Sequence, residues 1–146
     1  MPLPQLPDDA IEFDVAAADW RGAIRLAGDA LVRTGAATDA YTDRMISVVD
    51  EFGAYIVVAP GLALAHARPG RDVLRDGISV VTLAEPIAFG HAHNDPVSVV
   101  VGIASVSPET HVGLVAEMAN VFNDPQAIPA LRAATTAAEV RSVLGA

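Results

Sequence analysis

The stretch VSVVVGIASVSPETHVGLVAEMANVF, residues 97–122, contains the change of periodicity that decides the fold class. Its first part, 97–104, is a nearly continuous apolar and β-branched run, which is typical of a strand covered on both faces. Its second part, 108–122, has apolar residues at helical spacing after a Ser-Pro start signal, which predicts a helix. A buried strand followed directly by a helix indicates an α/β layer architecture.

The same two patterns extend outward along the chain. Apolar runs predict three further strands, over 55–59, 62–67 and 77–83. Helical spacing predicts four further helices, over 19–34, 39–52, 124–133 and 136–144. The link between the first two helices is short, so we expect them to be antiparallel neighbours. The prediction is therefore an α/β fold with a mixed β-sheet sandwiched between helices on both faces.

The predicted helix 39–52 carries an apolar stripe of the kind that faces a core. Its members are Tyr41, Met45, Val48 and Phe52. Thr38 stands where an N-cap would lie, as Asp19 does for the helix 19–34.

Length and composition limit the classes of protein to consider. The 146 residues suit a single domain, 1–146, whose Pro-rich segment 1–10 we expect to be loosely held. The net charge of -9, with arginine as the only basic side chain besides histidine, argues against nucleic-acid and anionic-membrane partners. The absence of cysteine excludes disulfides, thiolate nucleophiles and cysteine-ligated zinc. We see no signal peptide and no membrane-spanning run, and expect a cytoplasmic protein.

His66 lies at the end of the predicted strand 62–67, where alternation places it on the same face as Leu62 and Leu64. Its neighbours are alanines, which would let another protein approach the imidazole closely. An apolar setting favours the neutral, nucleophilic ring. The residues alone leave two interpretations open: a core histidine bonded to a carbonyl group, or a reactive ring presented to a partner.

His111 falls in the first turn of the helix predicted over 108–122, behind Ser107 as cap and Pro108. The start of a helix favours an anion such as phosphate. This start also lies at the carboxyl end of the strand 97–104, where open α/β sheets usually bind ligands. A solvated surface histidine is the alternative.

His91 and His93 form an H-x-H pair in FGHAHNDPV, residues 89–97, and Asp95 follows them. This spacing could hold a metal ion. The surrounding Gly, Asn, Asp and Pro residues are those of a turn between two strands, so an ordinary surface loop is the interpretation we favour.

Three stretches together resemble a known family: IVVAPGLALAHARP (56–69), GISVVTLAEPIAFGHAHNDPVSVVVGIASV (77–106) and SPETHVGLVAEMANVF (107–122). They are similar to the mannitol/fructose-type enzyme IIA domains of the bacterial phosphoenolpyruvate-dependent sugar phosphotransferase system, and within that family most similar to the ascorbate-type branch. The resemblance extends from about Trp20 to Leu144.

This resemblance implies a phosphotransferase component that works through a phosphohistidine. His66 matches the histidine that receives the phosphoryl group, and His111 matches the second histidine, which supports it. The phosphate donor would be the histidine phosphocarrier protein HPr and the acceptor a IIB domain, which serves a membrane IIC component in carbohydrate uptake. No metal or organic cofactor is implied.

Two departures from the family pattern carry expectations. Ala65 stands where most members have proline before the active histidine, which predicts a looser loop. Val48 aligns near an arginine that the mannitol branch carries in its second helix, so no arginine is expected at that place.

Alternatives of other classes stay open at this point. The chain could be a regulatory protein of the same fold that carries phosphate without a dedicated transporter. A metal-dependent hydrolase using His66, His91, His93 and Asp95 is a second alternative. The apolar helix faces leave open a homodimer.

Overall fold

The computed structural model describes residues 3–146. Its strands are β1 Ile11–Val15, β2 Val57–Ala59, β3 Leu62–Ala65, β4 Gly77–Ile87 and β5 Val97–Ala104. Its helices are α1 Trp20–Arg33, α2 Asp39–Phe52, α3 Pro108–Phe122, α4 Ala127–Ala133 and α5 Ala137–Leu144. Within this range no helix has both the length and the hydropathy to cross a bilayer.

The five strands form one mixed sheet in the order β1-β4-β5-β3-β2. β1 runs parallel to β4 and β3 runs parallel to β5, whereas the β4–β5 and β2–β3 pairs are antiparallel. A turn at Pro60-Gly61 joins β2 to β3, and Gly61 adopts φ 84°, a conformation that glycine takes without a steric penalty. The predicted mixed sheet is confirmed.

Both faces of the sheet are covered by helices, as the sequence predicted. On one face, Val99 and Val101 of β5 belong to an apolar cluster with Leu114 of α3. On the other face, Val100 belongs to the cluster that includes Ile24 of α1 and α2 side chains. The period of two along β5 therefore distributes its valines between two cores.

Helix α1 begins at the predicted cap, because the Asp19 carboxylate accepts the Gly22 N–H at 2.8 Å. Helices α1 and α2 then approach closely at Gly28, where a Cβ atom would overlap the Thr42 side chain. The prediction for Thr38 is only partly right: Thr38 occupies the N-cap position of α2, but its side chain makes no capping hydrogen bond.

The N-terminal segment differs from the expectation of a loosely held tail. Residues 1 and 2 lie outside the described residues, but Leu6 is only 3% exposed and packs into the core on the α3 face. The Arg141 guanidinium donates to the Leu6 carbonyl group at 3.1 Å and to the Asp8 carboxylate at 2.7 Å. The chain continues into β1. Sequence analysis missed this strand because its apolar residues alternate with Glu12 and Asp14 and form no apolar run.

Candidate functional site

The two histidines that sequence analysis singled out lie together at one edge of the sheet. The parallel strands β3 and β5 end at this edge, and Ala65, the last residue of β3, pairs with Gly102. His66 follows directly, and α3 starts from the same edge with His111 in its first turn. The two ring centroids are 5.3 Å apart, with an angle of 42° between the ring planes.

The hydrogen bond of His66 fixes its tautomer. Its Nδ1 lies 2.7 Å from the Leu64 carbonyl oxygen. Because a carbonyl oxygen only accepts, Nδ1 carries the proton and Nε2 of the neutral ring keeps a free lone pair. The carbonyl bond of the first interpretation is present, in a half-buried rather than a core residue, and it leaves Nε2 with a free lone pair. The reactive ring presented to a partner stays a prediction.

Burial keeps both rings uncharged near neutral pH. Desolvation lowers the pKa of His66; the bond to Leu64 opposes this shift, and the nearby His111 adds to it. Desolvation also lowers the pKa of His111. Nδ1 of His111 is buried without a hydrogen-bond partner among residues 3–146. Since a buried N–H without an acceptor is rare, the His111 proton is better placed on Nε2, where it can be donated.

The first turn of α3 is tightly capped. The Ser107 hydroxyl accepts the Thr110 N–H at 3.2 Å, and the Ser107 carbonyl accepts the His111 N–H at 3.0 Å. Pro108 has no N–H to offer. Sequence analysis expected this helix start to favour an anion, but within the described residues only the Glu109 N–H of the four first-turn residues is left without such a partner. His111 itself is the main donor that this turn contributes.

Tyr41 of α2 holds the backbone just after His66. Its buried hydroxyl accepts the Ala67 N–H at 3.0 Å and donates to the Ile103 carbonyl group at the end of β5. Burial raises the pKa of Tyr41 to about 12, so the hydroxyl keeps its proton. One side chain therefore ties the loop after β3 to the neighbouring strand.

Arg44, one helical turn further along α2, holds the same loop. It donates to the Asp72 carboxylate at 2.6 and 2.7 Å and to the Arg68 carbonyl group at 2.7 Å. One expectation is wrong here: an arginine of the second helix, Arg44, does reach the site, in the same wall as Val48. The looser loop expected from Ala65 stays a prediction; the backbone after it is held at Ala67 and Arg68.

An open depression of about 600 Å³ lies over this edge. Both histidines and the arginines Arg44 and Arg68 line it, together with four apolar or aromatic residues, Val48, Phe52, Tyr55 and Ala67. Sequence analysis missed the roles of Tyr41 and Arg44. A signal was present for Tyr41, because a tyrosine within a buried stripe requires a partner for its hydroxyl group.

The H-x-H loop lies at the opposite end of β5, because it precedes Val97 whereas His66 adjoins the strand's last residues. The Asp95 carboxylate accepts the N–H groups of residues 89–91, and His91 Nδ1 accepts those of His93 and Asn94. Between residues 3 and 146 no cluster of three potential ligands is present. The ligand set of the hydrolase alternative is therefore not brought together, because His66 lies at the other end of β5 from His91, His93 and Asp95.

Comparison with known proteins gives a consistent result. The sequence model of the family described as "Phosphoenolpyruvate-dependent sugar phosphotransferase system, EIIA 2" matches residues 5–146. The ascorbate-specific PTS system EIIA component of Salmonella choleraesuis (strain SC-B67) is 36% identical over 139 residues, which cover 94% of this chain and 90% of the relative.

Solved structures agree with this result. The crystal structure of IIA mannitol from Escherichia coli matches with a TM-score of 0.83 and 27% identity, over 96% of this chain and 99% of that one. The Escherichia coli complex of enzyme IIAMTL with phosphorylated enzyme IIBMTL contains a chain that matches with a TM-score of 0.85 and 25% identity, over 97% of each chain. The resemblance stated from the sequence, including its ascorbate-type character, is confirmed.

Proposed function

The chain belongs to the EIIA 2 family of the phosphoenolpyruvate-dependent sugar phosphotransferase system, and from this premise we propose that it is a cytoplasmic phosphocarrier. It accepts a phosphoryl group from HPr on Nε2 of His66 and passes it to a IIB domain. The observation that carries the proposal is the half-buried, neutral His66 ring, whose Nδ1 proton is held by the Leu64 carbonyl group and whose partner ring is 5.3 Å away.

The transfer balances with the groups present. The Nε2 lone pair of His66 forms the new N–P bond as the N–P bond to the donor histidine breaks, and the leaving imidazole takes back its electron pair. The Nδ1 proton stays on His66, and its bond to Leu64 stabilises the ring as the ring becomes positive. His111 donates a hydrogen bond to the phosphoryl oxygens. No further covalent chemistry is needed, because phosphoryl transfer is catalysed mainly by positioning and electrostatics.

The IIB acceptor and the ascorbate-like substrate class rest on relatives. A structural neighbour was solved with phosphorylated enzyme IIBMTL, and the relative from Salmonella is named as ascorbate-specific. We assign this chain to uptake of an ascorbate-like carbohydrate through a IIB domain and a membrane IIC component. The regulatory alternative predicts a different acceptor, since such a protein would have no IIB partner to discharge it.

Incubation with labelled phosphoenolpyruvate, enzyme I and HPr tests the proposal. The wild-type protein is expected to take up an acid-labile, base-stable phosphate, and His66→Ala is expected to take up none. His111→Ala should fold normally and be labelled more slowly, while His93→Ala, at the other end of the sheet, should match the wild type. Label on His66→Ala would overturn the site. Labelled protein that discharges to no IIB domain but binds a kinase or regulator would favour the regulatory role.

A further inference from the structure

The depression over His66 must accommodate the charge of a phosphoryl group, yet few of its groups are free to neutralise it. Of the four first-turn residues of α3, only Glu109 has an N–H outside the capping interactions, because Ser107 engages those of Thr110 and His111. The Ala67 N–H, next to His66 in the chain, donates to the Tyr41 hydroxyl. Both histidines are neutral rings. Positive charge around the depression therefore has to come from the guanidinium groups of arginine side chains.

Among the described residues two guanidinium groups line the depression, and one of these two has no partner there. Arg44 makes an ion pair with Asp72 through two hydrogen bonds, and the Asp72 side chain is 12% exposed. Arg44 also donates a hydrogen bond to the Arg68 carbonyl group. Arg68 is exposed, and its guanidinium makes no ion pair or hydrogen bond within residues 3–146. Its positive charge acts on the Tyr55 phenol, whose ring lies 6.0 Å from the His66 ring.

Arg68 is held in place through its backbone and not through its guanidinium group. It follows His66 by two residues, and its carbonyl group is held by Arg44 at 2.7 Å. Tyr41 holds the intervening Ala67. A braced backbone with an exposed, unpaired side chain suits a group that binds its ligand only when the ligand arrives, and guanidinium binds phosphate oxygens through paired N–H groups.

We propose that Arg68 is a catalytic residue that binds the oxygens of the phosphoryl group on His66, and that Arg44 is the positioning residue that holds Arg68 in place. This inference rests on the proposed function. It assigns the charge-stabilising role to the loop after β3, while the arginine of α2 serves as a brace. The Arg68 guanidinium neutralises the charge of the phosphoryl group both when the group arrives from HPr and when it leaves for the IIB domain.

The test compares Arg68→Gln with Arg71→Gln, a change of the same kind at an exposed arginine three residues later that does not line the depression. Single-turnover transfer from phosphorylated HPr is measured over a range of donor concentrations. Arg68→Gln is expected to slow transfer at saturating donor by about tenfold or more, as removal of a charge-stabilising donor does elsewhere. Arg71→Gln should stay within about twofold of the wild type, and Arg68→Lys should recover part of the rate.

A second measurement follows the phosphoryl group itself. A cation close to the phosphoryl oxygens lowers their pKa, so ³¹P titration of the phosphorylated protein should give a higher phosphoryl pKa for Arg68→Gln than for the wild type. If Arg68→Gln changes only the donor concentration needed, with the saturating rate and the ³¹P titration unchanged, Arg68 merely attracts the partner and the proposal fails. Wild-type protein that takes no label at all would instead contradict the proposed function.

Discussion

At the scale of single residues, the site depends on the environment of two imidazole rings. Desolvation lowers the pKa of His66 and of His111. A lowered pKa keeps Nε2 of His66 unprotonated, and therefore nucleophilic, at pH values where an exposed histidine is already half charged. Burial at the edge of the sheet thus keeps the His66 ring neutral, whereas Leu64 orients the ring by holding Nδ1.

The first prediction concerns pH. NMR titration of the unphosphorylated protein should place the midpoint for His66 below about 6.5, the value of an unperturbed histidine. The two rings bind protons more weakly in the folded protein than in the unfolded chain. Their contribution to the free energy of unfolding is therefore fully present above pH about 6.5 and is lost as the pH falls through the lowered folded-state pKa values. His66→Gln should reduce this loss. A His66 midpoint above 6.5 would contradict the burial argument.

The second prediction concerns the Tyr41 hydroxyl. Tyr41→Phe leaves the Ala67 N–H and the Ile103 carbonyl group buried without their partner, so the free energy of unfolding should fall by about 1–3 kcal/mol. Transfer at saturating donor should slow as well, because the loop that carries His66 loses its tie to β5. The ¹⁵N shifts of His66 would report a change in the Nδ1 bond to Leu64, which a purely structural loss elsewhere would not produce.

Thr42→Val is the matched control for Tyr41→Phe. Thr42 is the next residue of the same helix, and its buried hydroxyl has no hydrogen-bond partner within the described residues. Removing that hydroxyl should leave stability unchanged or raised, and should leave the transfer rate as it is. Equal losses of rate in the two variants would mean that Tyr41 acts only through packing.

At the scale of elements, the first turn of α3 places His111, and the third prediction tests its cap. Ser107→Ala removes the side-chain acceptor of the Thr110 N–H and should lower the free energy of unfolding by about 1 kcal/mol. Thr136→Ala removes the comparable cap of α5, which accepts the Glu139 N–H. Both losses should be similar in urea melts, but only Ser107→Ala should slow phosphoryl transfer. Equal transfer rates would show that the cap does not position His111.

The helices and strands were predicted well where apolar residues recur at a regular spacing. They were predicted less well where contacts between distant segments determine the structure. The bounds of β5 and α3 follow from continuous patterns, and the observed elements match them. β1 has only five residues, and its membership of the sheet depends on pairing with β4, which no local pattern encodes. The hydrogen bonds of Tyr41 with Ala67 and of Arg44 with Asp72 join residues 26 and 28 positions apart. A local sequence pattern does not predict contacts at such distances along the chain.

At the scale of the whole molecule, α2 shows why an apolar stripe alone does not define a core. Tyr41 and Met45 are fully buried, as the stripe predicts. Val48 and Phe52 continue the same stripe but line the depression, and Phe52 is 69% exposed. The helix covers the sheet with one face, while Arg44, Val48 and Phe52 line the depression beside it. Exposed large apolar side chains grouped around a reactive group are typical of a docking surface.

The last prediction follows from this arrangement. Phe52→Ser should weaken the complexes that the proposed function requires, with HPr and with a IIB domain, measured by calorimetry or by the donor dependence of transfer. It should leave stability within about 0.5 kcal/mol because the side chain is exposed. Leu74→Ser is the control, since Leu74 is 59% exposed but does not line the depression. The saturating transfer rate of Phe52→Ser should equal that of the wild type, because Phe52 contributes binding area and no chemistry. If Leu74→Ser weakened both complexes as much as Phe52→Ser did, the docking surface would not be centred on the depression, and the apolar end of α2 would need another explanation.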